Sequence, residues 1–154
     1  MSFERSAEQE LVELSNRFFE YHCQKKTDEI MALFSQDGDI HFWGTGIDEE
    51  GTGIDDLRMQ FERDFKEVET LRITPETTRV FATPLSGIVT GNWITRYLLK
   101  GQTEYDELNL RATLYADVVD GEWRFRHAHW SIAYGSQPEG RSFPEHDEMT
   151  ITIE

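Results

Sequence analysis

His127 and His129 stand two residues apart in the segment RHAHWS. In a β-strand that spacing points both imidazoles to one face. Imidazole titrates near neutral pH, so each is a candidate general acid or base, and the pair forms the candidate catalytic set. A His-x-His pair can also supply two metal ligands, with His41 as a conceivable third. No acidic residue stands at a matching ligand spacing, so no metal and no cofactor is expected. The competing reading is a pair of histidines hydrogen-bonded within the sheet or across a subunit contact. Trp43, Trp93 and Trp130 lie in strand-like segments and are candidates to wall a cavity for a flat apolar ligand. Tyr97 and Arg111 are the polar groups that would orient such a ligand or assist a histidine. Arg96 and Arg111 fall in mid-strand, where a buried guanidinium needs an anion. Cys23 lies in a helical stretch with no basic pair beside it and reads as a small buried thiol. The segment IDEEGTG (47–53) has the wrong spacing for a calcium loop and reads as a solvated loop over a cavity mouth.

These side chains depend on the elements that carry them. Ser6 and Gln9 form a capping-box pattern that opens a helix. Leu11, Leu14, Phe18 and Tyr21 recur at helical spacing, widened by Val12 and Phe19. Thr27 is placed to cap a short second helix with Ile30, Leu33 and Phe34 inward, and Ile40 to Trp43 reads as a short strand. Thr52 with Asp55 starts a third helix whose stripe is Ile54, Leu57, Phe61, Phe65 and Val68. The period then changes. Leu71–Phe81, Ile88–Leu99, Tyr105–Val119 and Glu122–Ala133 read as strands rich in β-branched and aromatic residues. Helices first and an antiparallel meander after them must share one core, so the sheet is expected to curve around the third helix, leaving an open end as a pocket.

The last hairpin leaves one question open. With a two-residue turn at Asp120-Gly121, Trp123, Phe125, His127 and His129 share the apolar face with Leu110, Ala112, Leu114 and Ala116. A three-residue loop with a bulge instead puts Arg124, Arg126, Ala128 and Trp130 there, and the histidines join Arg111 and Thr113 outside.

Composition narrows the classes. The 154 residues suit one domain, with residues 1–134 as its body and 135–154 as a Gly, Pro, Ser and charge-rich extension whose MTITI alternates like an edge strand. Thirty acidic residues against fifteen basic give a net charge of −15, a field that repels nucleic acid and an anionic membrane alike. A single cysteine precludes an internal disulfide. The N-terminal segment has no secretory pattern, and a cytoplasmic protein is expected.

Arg111-x-Thr113, the Asp120-Gly121 turn, Trp123, His127-x-His129 and Ser131, together with LFSQDGDIHFWG and SQPEGRSFP, resemble the SnoaL-like branch of the nuclear transport factor 2-like superfamily over roughly residues 8–144. The last hairpin is also similar to the association domain of calcium/calmodulin-dependent kinase II. The resemblance implies an α+β, cone-shaped fold with N-terminal helices packed in a strongly curved antiparallel sheet (a cystatin-like α+β roll). It also implies a homodimer through the outer sheet face and a pocket for a small organic molecule. It does not imply one reaction. The carboxylate base and the helix tyrosine of the family's ketosteroid isomerases fall here on Phe42 or Trp43 and near Phe18, and the aspartate of its cyclases falls on Ser131. Isomerase chemistry of that kind is not expected. The readings that stand are a small-molecule-binding domain, a lyase or isomerase using a pocket histidine, and an oligomerisation module.

Overall fold

The computed structural model describes residues 5–133 and 138–143. The capping box forms at the start of α1 (Ala7–Cys23): the Gln9 N–H donates to Ser6 Oγ at 3.2 Å, and the Ser6 N–H to Gln9 Oε1 at 3.0 Å. These bonds satisfy two of the donors that a helix start leaves unpaired. Helix α2 (Thr27–Met31) begins one residue earlier than expected, with Lys26 as its N-cap and no side-chain cap bond. Helix α3 (Gly53–Glu67) follows Thr52, but the Thr52 hydroxyl makes no cap bond; Asp56 Oδ2 accepts the Thr52 N–H instead, at 3.0 Å. Leu57, Phe61 and Phe65 of α3 are buried as the spacing predicts, while Val68 already belongs to the following strand.

Six strands make one sheet in the order β2-β1-β6-β5-β4-β3: β1 (His41–Trp43), β2 (Glu50–Thr52), β3 (Val68–Ala82), β4 (Ser86–Leu99), β5 (Asp106–Val119) and β6 (Glu122–Ile132). All neighbours are antiparallel except β1 and β6, which run parallel. Strand β2 is a correction, since it forms inside the glycine-punctuated stretch read as loop. The fold is α+β, with the helices held in the concave face of the curved sheet. The sheet wraps chiefly around α1, whose Leu11, Leu14, Phe18 and Phe19 are buried against it, while α3 closes one side. Phe18 sits at the centre, its ring edge-on to Phe34, Phe61 and Phe125 at 6.1–6.4 Å and stacked on Trp130 at 6.3 Å.

The hairpin question has a mixed answer. The turn is the two-residue one: Asp120 (φ 51°) and Gly121 (φ 80°) both occupy the left-handed region, and Val119 pairs with Glu122. Yet Tyr115 pairs with His127 while Ala116 pairs with Phe125, so Arg126 is an extra residue, bulged out of the ladder. Before the bulge Phe125 enters the core; after it Ala128 does, and both are fully buried. His127 and His129 are thereby turned outward. Arg126 is held by Asp117 at 2.8 Å and Asp39 at 3.0 Å. The free edge of β6 is covered in two pieces: Ser35 N–H donates to Phe125 O and Phe125 N–H to Leu33 O, both at 2.8 Å, and beyond the bulge β1 takes over. Among the described residues no helix is long and apolar enough to cross a membrane. The expected MTITI edge strand lies outside the described residues.

The register makes a paired prediction. Phe125→Ala should cost about 3–5 kcal/mol in urea unfolding, because a buried ring is lost from a packed site. His129→Ala on the exposed face should change stability by no more than about 0.5 kcal/mol. A costly His129→Ala with a mild Phe125→Ala would reverse the assignment of faces.

Candidate functional site

On the outer face β1 and β6 bring His41 beside His127 and Trp43 beside His129. The His41 and His127 rings stack at 5.4 Å with 5° between their planes, and their Nδ1 atoms are 3.4 Å apart. His127 Nδ1 lies 2.9 Å from the His41 carbonyl, which fixes the proton on that nitrogen, and His41 Nε2 lies 3.1 Å from Glu50 Oε1. Burial lowers the His127 pKa, and the charges of His41 and His129 act in the same direction against the pull of the His41 carbonyl. His129 meets the edge of Trp43 at 5.2 Å. Arg111 is exposed on this face, paired in register with Ser131, and Arg96 is exposed over the Tyr105 ring at 4.7 Å. Neither arginine is the buried guanidinium that mid-strand position suggests. Of the expected ligand-binding set, then, Trp43 and Arg111 stand outside the cone with His127 and His129. Trp93, Tyr97 and Trp130 line its interior.

That interior holds a cavity of about 390 Å³ between α1, α3 and the concave sides of β3, β4, β5 and β6. Its walls are Phe61, Leu71, Ile73, Trp93, Leu110 and Trp130, an apolar lining suited to an organic body. Set among them are polar groups with no partner. His22 Nδ1, Trp93 Nε1 and Thr95 Oγ1 are buried and lack a hydrogen bond among the described residues, and all three residues line this cavity. An unsatisfied buried polar group costs on the order of 1–3 kcal/mol, so each needs a reason; Trp93 Nε1 lies against Gly91.

Two titratable groups face the same space with opposite shifts. His22 is surrounded edge-on by Phe18, Phe61 and Phe65 at 5.3–5.4 Å, and loss of water lowers its pKa from 6.5 to about 4. It is a neutral imidazole at neutral pH. Asp64 is raised from 3.8 to about 6, first by burial and then by the nearby charges of Glu49 and Glu67, against a hydrogen bond from Gln60 and the attraction of Arg63. Gln60 Nε2 donates to Asp64 Oδ1 at 2.8 Å and to Glu49 Oε1 at 3.4 Å, joining the two carboxylates. Glu49 in turn accepts from the Gly46 N–H at 2.7 Å and from Arg63 at 3.2 Å. A side chain on Gly44 would meet the Glu49 carboxylate at 2.3 Å, so the loop can close over Glu49 only with glycine there. The Tyr97 hydroxyl, one strand position pair beyond Thr95, is pushed up by burial and then by Asp106.

His22, Gln60, Asp64 and Thr95 were not singled out by spacing. A signal was present for two of them. His22 follows Phe18 by four residues, and Asp64 follows Phe61 by three, so each is a polar residue on an otherwise apolar helical stripe. A second, larger hollow of about 740 Å³ opens at the start of α1, lined by Arg5, Arg124 and Glu122 among others. Two of its arginines are paired with the protein: Arg5 with Glu13, and Arg124 with the Ala32 carbonyl and Glu122. Among the described residues no group of three or more His, Cys, Asp or Glu side chains is placed to hold a metal ion.

Comparison with known proteins agrees with this architecture. The profile of the SnoaL-like domain matches residues 12–135. A nuclear transport factor 2-like superfamily protein from Salmonella enterica superposes with a TM-score of 0.76 at 14% identity, over 88% of this chain and 96% of that one. A protein from Novosphingobium aromaticivorans, provisionally named a scytalone dehydratase, gives 0.73 at 15% identity, over 87% and 93%. A protein from Xanthomonas campestris, provisionally named a calcium/calmodulin-dependent kinase II association domain, gives 0.72 at 16% identity, over 88% and 91%. No curated protein matches the sequence. At these identities the solved structures bear on the fold alone.

The two shifted groups predict opposed pH effects. The fold keeps the Asp64 proton where the unfolded chain has lost it, so Asp64 removes stability as pH rises from about 4 to about 6 and above. It refuses the His22 proton where the unfolded chain accepts it, so His22 removes stability as pH falls from 6.5 to about 4. Each effect is on the order of 2–3 kcal/mol. Relative to the wild type, Asp64→Asn should be most stabilised near neutral pH and lose that advantage near pH 4. His22→Phe should gain its advantage only on acidification. Urea unfolding of both variants across that range checks the signs, and difference profiles without slope would mean that neither group is desolvated.

Proposed function

The chain belongs to the SnoaL-like domain family, and on that footing we propose that its cone binds a small, largely apolar organic molecule carrying a polar group. The observation that carries this reading is the cavity of about 390 Å³ between the helices and the sheet, walled by Phe61, Trp93, Leu110 and Trp130 and lined also by the polar side chains of His22, Gln60, Asp64 and Thr95. A ligand oxygen or nitrogen would meet these polar side chains, while the apolar walls take its body. Trp93 and Trp130, from the tryptophan set, and Tyr97, from the polar groups, are the proposed binding residues, joined by His22, Asp64 and Thr95.

Acid–base chemistry in the cone, if the bound molecule reacts, falls to Asp64. Its pKa of about 6 leaves both protonation forms accessible near neutrality, whereas His22 stays neutral and acts as a hydrogen-bonding group. The lyase or isomerase reading therefore moves from the β6 histidines to α3. The provisional dehydratase name of the Novosphingobium protein is compatible with such proton transfer but carries no substrate to this chain.

A second reading concerns the outer sheet face, where Trp43 is 42%, Ile88 38% and Phe81 62% exposed around the histidine cluster. Apolar side chains set in a sheet face of this kind suit a contact between two copies, with His41 and His127 within it. Sedimentation should give a dimer at micromolar concentration, and Trp43→Glu should shift it to monomer; a monomeric wild type sinks this reading.

For the cone, Thr95→Val is the informative substitution, since it keeps shape and removes the unpaired hydroxyl. It should leave the unliganded protein as stable as before or more so by about 1 kcal/mol, and weaken the binding of a neutral aromatic alcohol such as tryptophol by about tenfold in calorimetry. A variant that loses stability while tryptophol binding stays at the wild-type level would mean that the hydroxyl serves the core.

A further inference from the structure

The outer sheet face carries a titratable cluster that the cone does not use, and the inference drawn from it rests on the contact between two copies proposed above. Cross-strand partners set Phe81, Ile88, Tyr115, His127 and His41 in one row over five strands. The next row runs from Arg79 through Thr113 and His129 to Trp43 and Glu50, and the one after it holds Arg111 opposite Ser131. In a chain with thirty acidic residues these rows hold one carboxylate, that of Glu50 on the edge strand β2. Aromatic and arginine side chains with few acids are the composition of a protein contact. Two chains of net charge −15 repel each other, and on this face they can meet without setting carboxylate against carboxylate.

The hydrogen bonds of the cluster are complete while its rings are neutral. His127 Nδ1 donates to the His41 carbonyl at 2.9 Å, and His41 Nε2 donates to Glu50 Oε1 at 3.1 Å. The lone pair of His41 Nδ1 then faces His127 Nδ1 at 3.4 Å, between rings only 5° from parallel. A further proton on each ring would set two cations face to face.

We infer that acid releases the second copy: His41, His127 and His129 hold the two faces together as neutral imidazoles and drive them apart when protonated. The groups that face the stack are Glu50 from β2, His129 from β6, Arg79 from β3, and Arg111 and Asp117 from β5, while β4 presents Ile88 and Thr90. Asp117 and Asp39 are already bonded to Arg126, at 2.8 and 3.0 Å, which leaves Glu50 to meet the incoming charge. Burial already holds the His127 pKa below its ordinary value, and the charges of His41 and His129 act the same way. A second copy removes more water and brings a second cluster, so the pKa falls further on contact. A group whose pKa is lower in the dimer takes up its proton on dissociation. The dimer is therefore at full strength above the free imidazole value of about 6.5 and weakens as pH falls below it.

The general field of the chain predicts the opposite sign. Its net charge shrinks as pH falls toward the isoelectric point of about 4.6, which by itself eases repulsion and tightens a dimer. Sedimentation of the full chain at pH 8 and pH 5.5 separates the two, and the dissociation constant should rise at least about tenfold at the lower pH. His127→Asn keeps an amide donor for the His41 carbonyl and cannot gain charge, so most of that rise should disappear. His129→Asn, on the exposed side, should remove a smaller part. Near-ultraviolet circular dichroism should stay level over the same range. A dimer that holds or tightens on acidification, a rise that both variants leave intact, or a dichroism signal lost together with the dimer overturns the inference and leaves the contact standing. A monomer at both pH values removes the contact and the inference together.

Discussion

A single inserted residue in the closing strand governs what the cone contains. Strand β6 must bury Phe125 against Phe34 and Phe18 near its start, and the same strand carries two histidines further on. Strict alternation from Phe125 would drive His127 and His129 into that apolar interior, where each imidazole would need a partner. The bulge at Arg126 exchanges them for Ala128 and Trp130. Ala128 is small enough to lie beside Phe42, and Trp130 stacks on Phe18 and walls the cavity. The bulge is itself anchored, since Arg126 is tied to Asp117 and Asp39, and the Leu33–Ser35 backbone covers the strand edge beside it.

With the β6 histidines outside, the chemistry of the cone falls to the helices. His22 and Asp64 each occupy a core-facing position that an apolar residue could fill at less cost. Burial pushes both toward their neutral forms, His22 down to about 4 and Asp64 up to about 6. A fold that tolerates two such groups, plus the unpartnered Thr95 hydroxyl, carries local destabilisation in one place, as functional sites commonly do. The glycine loop contributes from the other side: Gly44 and Gly46 let residues 44–49 fold onto the Glu49 carboxylate, and Gln60 links that carboxylate to Asp64.

Much of the framework was legible in the sequence because periodicity and local chemistry encode it directly. The capping box at Ser6 and Gln9, the stripe Leu57–Phe61–Phe65, the four long strands and the presence of a turn at Asp120-Gly121 all depend on near neighbours in the chain. The site was less legible. Residue type picks out Trp93, Tyr97 and Trp130, which line the cavity, together with Trp43 and Arg111, which face outward, because residue type carries no face. Strand β2, three residues long, has too little periodicity to declare itself and exists through its pairing with β1.

By itself, then, the sequence determined the α+β class, the order of the helices, the long strands and the acidic character of a chain with a net charge of −15, since each follows from composition or from short-range spacing. Only the tertiary structure decided which side of the sheet the histidines occupy, that His22 and Asp64 share one cavity though α2, β1, β2 and most of α3 lie between them in the chain, and that three buried polar atoms lack partners among the described residues. The physical reason is the same in each case. Register and burial are long-range properties: a bulge is stabilised by contacts with Asp39, Asp117 and the Leu33–Ser35 backbone, and a pKa is shifted by neighbours that the chain brings together only when it folds.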